Sequence, residues 1–366
     1  KAFMNLVKTS YPESDVTILL QDVRGKVPVL DTAEREKLNQ QGVHYSEMLP
    51  LEYAPTERYM KIYQESLATL SFETANAIAS LSEKIFKKKG ENLVLVSLAR
   101  AGTPIGILIK RYLHYKYQLD VPHYSISIIR GKGIDIAAMN IIANKHHPKD
   151  IQFVDGWVGK GAINTVLEEA CQRLAEENKL FSELDPTLAV LSDPASVTPL
   201  YGTRQDFLIP SACLNATVSG LVSRTVKLKE MSDDELHGAV YYAENEAYDH
   251  SLEFLDKVQS YFDQVQLDYF NPSQEELNED FKGLDEVKKI AQSYNISDIN
   301  KIKPGVGETT RVLLRRLPDR VLIREKANQK YLKHILQLCE EKKIPIEYVN
   351  LQKYNVCGII KEVADL

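Results

Sequence analysis

The 366 residues carry 45 Lys+Arg against 51 Asp+Glu, a formal net charge of -6, with 44% hydrophobic and 26% charged side chains. That length suits two to three domains with sizeable cores, and a mean hydropathy of -0.28 with no apolar run of spanning length argues against a transmembrane helix. Four cysteines (Cys171, Cys213, Cys339, Cys357) stand far apart without a C-x-x-C pair, which disfavours a zinc ribbon or disulfide framework and fits a reducing, cytoplasmic setting.

The first residues, Lys1 to Asn5, show no charged-then-apolar leader. Residues 1–60 form an irregular lead-in punctuated by Pro12, Gly25, Gly42 and Pro50. Helical apolar spacing runs from Tyr59 to Lys89 and stops at Gly90 after a basic last turn. The continuous apolar run Leu93 to Leu98 predicts a buried parallel strand. Next come a helix over Ile105 to Tyr117, a strand over Tyr124 to Ile129, a strand at Ile151 to Val154, a helix over Ile163 to Lys179 and a strand at Leu188 to Leu191. Strands alternating with helices over 61–230 predict an α/β domain around a mainly parallel sheet. Residues 231–280 hold 14 acidic side chains and one basic, Lys257, and are expected to form an exposed helical connector. Residues 281–366 reverse that balance, 17 basic to 11 acidic, and predict a second small α/β unit with an affinity for polyanions.

Ligands of such sheets bind beyond the carboxyl ends of the strands, so the turns after Leu98, Ile129 and Val154 are expected to gather at one rim. Asp155 stands at a strand end, followed by Gly156, Gly159, Lys160, Gly161, Ala162 and Ile163, which open a helix with free amides for a phosphate. Arg100, Ala101, Gly102 and Thr103 offer amides and a guanidinium for a diphosphate, and Arg130 and Lys132 sit on a glycine-rich, flap-like loop. Arg100 is equally consistent with a salt-bridge role.

The order and spacing of these three turns resemble the type I phosphoribosyltransferase family, with Gly156 in place of its second acid and without its Thr-Gly-Gly-Thr. More closely, the segments around Gly42 to Pro50 and Gly202 to Asn215 resemble the family in which such a domain is fused to a PELOTA-like RNA-binding domain, from tellurite-resistance and stress-response operons. That resemblance implies transfer of phosphoribose from phosphoribosyl diphosphate to a base-like acceptor, with Mg2+ held through the diphosphate and no direct metal ligand. Arg100, Arg130, Lys132 and Asp155 would be the catalytic residues. A phosphosugar-sensing, non-catalytic RNA binder is the alternative from another class.

The stretch Gly202 to Arg224 mixes small polar, apolar and charged residues, as a second ligand wall would. His44, Glu47, Arg204, Asp206, Cys213 and Asn215 are its candidate acceptor-side residues. Cys213 also admits a nucleophile, with His44 as base and Asn215 as orienter, and members of the resembling family carry the label cysteine protease; a cysteine among apolar residues is otherwise inert core. His146 and His147 lack a third metal ligand at a telling spacing. At the C-terminus, Gly305, Gly307, Glu308, Thr310, Arg311 and Arg315 resemble the PELOTA and kink-turn RNA-binding motif, with Gly307 replacing its base-reading asparagine. Structured RNA is the partner this implies, bound by shape and backbone.

Overall fold

The computed structural model describes residues 5–361; the start of the lead-in, Lys1 to Met4, lies outside the described residues. The main sheet has six strands in the spatial order Thr17–Ile18, His123–Ile126, Val94–Leu98, Ile151–Trp157, Leu188–Ser192 and Tyr201–Thr203, and every neighbouring pair is parallel. Alternate residues along Val94–Leu98 serve two layers. Leu95 joins the core under the helices Glu57–Lys89 and Gly102–Tyr117, whereas Val94, Val96 and Leu98 join the core under Ile136–Ala143 and Ala162–Glu177. A period of two exposes both faces of a strand to apolar partners, which is why the run has no polar positions beyond Ser97.

The long first helix begins at Thr56, whose side chain accepts from the Tyr59 amide, and ends at Gly90 with φ of 78°, the left-handed region that the predicted stop required. The predicted second strand divides: His123–Ile126 enters the sheet, while Ile128–Ile129 pairs antiparallel with Gly133–Ile134. The basic loop is therefore the tip of a tight hairpin, with Gly131 and Gly133 at positive φ. Between Val94–Leu98 and Ile151–Trp157 the winding reverses, because the chain leaves the first strand toward one edge and returns beyond its other side. That is the switch point at which open α/β sheets leave a crevice.

The acidic segment departs from its expected form. Leu236 to Tyr242 is buried, with Gly238–Ala239 pairing to Gln21–Asp22, and the main helix is the short Ser251–Gln259. Two of its carboxylates reach back to the sheet edge: Glu275 accepts from Thr203 and the Arg204 amide, and Glu279 pairs with Arg204 at 2.8 Å.

The C-terminal domain has four strands in the order Ile302–Pro304, Val356–Ile359, Arg320–Arg324 and Ile346–Val349, with the helices Gly283–Ser293, Val306–Arg315 and Gln329–Lys342. Among the contacts that dock it on the first domain is a buried carboxylate. Asp206 accepts from the Val306 amide at 2.9 Å and from the Asn355 amide at 2.9 Å, while Asn355 Nδ2 donates back to the Asp206 carbonyl. No helix among the described residues is long and apolar enough to cross a membrane.

Candidate active site

The three predicted turns do meet at the rim of the sheet. A Cβ on Gly102 would lie 2.7 Å from the Val154 carbonyl, and one on Gly156 would lie 3.3 Å from the Ala101 carbonyl, so the first and third turns touch backbone to backbone. Thr103 Oγ1 lies 2.7 Å from Ser125 Oγ. The hairpin's Arg130 lines the same cleft as the third turn, while its Lys132 donates to the Lys227 carbonyl at 3.2 Å and approaches Glu47 at 3.9 Å, and its Gly131 lies against His44. His44 and Glu47 thus belong with the hairpin rather than with Arg204, whose guanidinium is committed to Asp193 and Glu279.

Beyond this rim a cleft of about 640 Å³ runs between the domains. Arg130 and the Gly159 to Ile163 turn line one side, and Lys303, Gly305, Gly307 and Glu308 the other. Lys160 reaches across to the Ile299 and Ile302 carbonyls; burial, then Lys303, holds its pKa below the usual lysine value.

Several expected binding groups are already occupied. Arg100 pairs with Glu52 at 2.6 Å and donates to the Val222 carbonyl, so the salt-bridge alternative is the one the fold adopts. On the C-terminal helix, the Val306 amide is taken by Asp206, Thr310 lies 2.8 Å from His334, Arg311 donates to Asn215 Oδ1 at 2.6 Å, and Arg315 donates to the Tyr59 hydroxyl. The motif helix faces the first domain. His146 and His147 point to different partners, Tyr124 and Glu183.

Asp155 is bonded to the amide of its neighbour Gly156, and burial pushes its carboxyl up to about 7. An acid whose folded pKa is raised contributes stability at low pH that is lost as pH climbs through the folded value. The melting temperature should therefore fall between about pH 4 and pH 7, and Asp155→Asn should flatten part of that fall. An unchanged pH profile in the variant would contradict this.

All four cysteines are free and buried. Cys171 and Cys339 lie within helices and Cys357 within the small sheet. Cys213 differs in its surroundings. It closes the short turn Pro210–Cys213, with Ser66 Oγ at 3.8 Å; Ser66 in turn donates to the Tyr63 carbonyl. The Tyr63 ring packs on His250, centroids 5.4 Å apart, and His250 Nδ1 lies 3.1 Å from Glu253 Oε1. The His250 amide donates to the Thr217 carbonyl at 2.7 Å, four residues after Cys213. Burial first, then the Glu253 carboxylate and then Cys213, push the Tyr63 phenol far above its ordinary range. Thiol, phenol, imidazole and carboxylate therefore form one contiguous group. Burial pushes the Cys213 thiol up to about 12, against smaller opposing effects of Ser66 and Arg311. No imidazole among the described residues hydrogen-bonds it; His44 lies instead against the hairpin at Gly131. His250 and Glu253 escaped the sequence reading because they sit in the acidic segment, where each resembles one more solvated side chain. Their three-residue spacing, which places them one helical turn apart, was the available signal.

Fold and site together define a two-domain α/β protein with a buried thiol linked through Ser66 and Tyr63 to an imidazole–carboxylate pair. Residues 9–259 match the family described as tellurite-like stress resistance cysteine protease StiP, and residues 281–362 match the PELOTA RNA binding domain. The chain is also 36% identical over 363 residues to the cysteine protease StiP of Acinetobacter baylyi, covering 94% of this chain and 91% of that protein. It belongs to the StiP family. No solved structure matches it. These findings overturn the expected phosphoribosyl transfer: the rim exists, but the family and the curated relative are both named for thiol proteolysis, which agrees with the second reading of Cys213.

Proposed function

We propose that the protein is a cysteine peptidase in which Cys213 is the nucleophile, His250 its general base and Glu253 the group that orients the imidazole. The family supports the reaction class. The observation that carries the residue assignment is the His250–Glu253 pair packed at a tilt on the Tyr63 ring, whose phenol is also influenced by Cys213. A thiol nucleophile needs a base within hydrogen-bond reach and the base needs an orienting partner. Tyr63 touches both halves of this group: its ring packs on His250, and its phenol is influenced by Glu253 and Cys213.

When Tyr63 moves aside, His250 accepts the Cys213 proton and the thiolate adds to the peptide carbonyl carbon. Arg311, close enough to lower the thiol pKa, offers positive charge to the oxyanion. Protonated His250 then gives its proton to the leaving amine, and water hydrolyses the thioester. In the closed arrangement burial disfavours the thiolate and keeps the enzyme latent. The C-terminal domain reinforces that latency, because its helix Val306–Arg315 lies over the Cys213 turn with Arg311 bonded to Asn215. RNA, the partner that the PELOTA match supports, would compete for the same helix.

With an unfolded protein as substrate, His250→Ala should lower kcat/KM by about 10²- to 10⁴-fold, and Glu253→Gln by less, with melting temperatures near wild type. Cleavage by His250→Ala at the wild-type rate would remove His250 from the mechanism.

A further inference from the structure

A second pocket, of about 190 Å³, lies apart from the interdomain cleft and from Cys213. One wall is a single face of the helix Thr32–Gln40, where Thr32, Arg35, Glu36 and Asn39 recur three and four residues apart. That helix is held in place by a capping box between Asp31 and Glu34. The opposite wall contains Tyr45 and Arg224.

The two guanidiniums lack counter-charge. Arg35 and Arg224 each have a buried Nε with no hydrogen-bond partner. Arg224 Nη2 makes only long bonds, 3.3 Å each, to the Tyr45 and Met48 carbonyls, and Arg35 reaches Thr32 Oγ1 at 3.5 Å. Among the described residues no carboxylate lies within ion-pair distance of either. Glu52, the acid of this neighbourhood, is taken by Arg100, and Glu36 is exposed and unpaired with them. Burial first, then repulsion from Arg35 and Arg100, lowers the Arg224 pKa. Cations gathered out of water without an anion are costly, so the arrangement is complete only with an oxyanion between them. Two guanidinium forks, a hydroxyl at Thr32 and an amide at Asn39 offer donors from both walls. That suits a tetrahedral dianion with several acceptor oxygens better than a two-oxygen carboxylate.

We propose that this pocket binds a phosphate group, as the free ion or as the end of a small phosphomonoester. The site is independent of the peptidase assignment. Calorimetric titration of the full chain with inorganic phosphate at low ionic strength should give saturable binding of one ion per chain. Arg35→Gln should weaken it about tenfold or more, and Glu36→Gln should tighten it a few-fold by removing a like charge from the wall. Arg35 sits on a surface helix, and an unchanged melting temperature would show that its variant is folded. Titration with glycerol 3-phosphate distinguishes the sources: binding as tight as phosphate or tighter assigns the ester, and failure to bind assigns the free ion. The proposal is overturned if the wild type shows no saturable phosphate binding. It is equally overturned if Arg35→Gln and Arg224→Gln both bind like the wild type, or if acetate binds as tightly as phosphate.

Discussion

Cys213→Ala is expected to abolish cleavage of an unfolded protein, lowering kcat/KM by about 10³-fold or more, because a nucleophile removed from a triad leaves only the contributions of binding and oxyanion stabilisation. The fold should survive. Cys213 is 2% exposed within an apolar cluster, and exchanging its thiol for a hydrogen deletes one weak contact to Ser66 and leaves a small void, a loss of about 1–2 kcal/mol. Cys171→Ala serves as the control. That thiol is also buried and pushed up to about 12, but it lies on the helix Ala162–Glu177, with burial, Asp185 and Glu168 as the causes of its shift and no imidazole among them. Its variant should keep full activity. Proteolysis that persists in Cys213→Ala and disappears in Cys171→Ala would reassign the nucleophile.

The second large effect is expected at the interdomain clasp. Asp206→Ala removes the acceptor for two backbone amides, Val306 and Asn355. Each amide left unsatisfied in a buried setting costs about 1–3 kcal/mol, so the docked arrangement should lose about 2–6 kcal/mol. The C-terminal domain should then open more often, and Cys213, covered by the helix that Asp206 caps, should react with a maleimide about tenfold faster or more. Asp206→Asn keeps one acceptor oxygen and should fall between the two. Equal labelling rates in wild type and Asp206→Ala would mean that the docked helix does not guard the thiol.

Much of the scaffold was legible in the sequence for a definite reason. Strands buried on both faces leave unbroken apolar runs, so Leu93 to Leu98, Ile151 to Val154 and Leu188 to Leu191 announced a parallel sheet, and Gly90 with its basic last turn announced the end of the long helix. Thr17–Ile18 and Tyr201–Thr203 are too short to carry a period, and Val356–Ile359, in the interior of the small sheet, follows a polar loop that hides it. The docking contacts were invisible for another reason: Asp206 meets partners 100 and 149 residues away, and nothing local marks them. The same distance effect misdirected the functional residues. Glycine turns and cations at a strand rim read as a phosphate cradle, yet Arg100 is neutralised by Glu52 across 48 residues of chain. The sequence offered Cys213 with His44 as its imidazole, but the fold packs His44 against the hairpin at Gly131.

The central claim is that Cys213, activated by His250, attacks peptide carbonyls. It is tested most directly by trapping the native protein with a peptide bearing a thiol-reactive epoxide and locating the adduct by mass spectrometry. The account predicts modification at Cys213 that is lost in His250→Ala and restored to neither Cys171, Cys339 nor Cys357. An adduct on any of those three, or no adduct while the protein still cleaves its substrate, would contradict it.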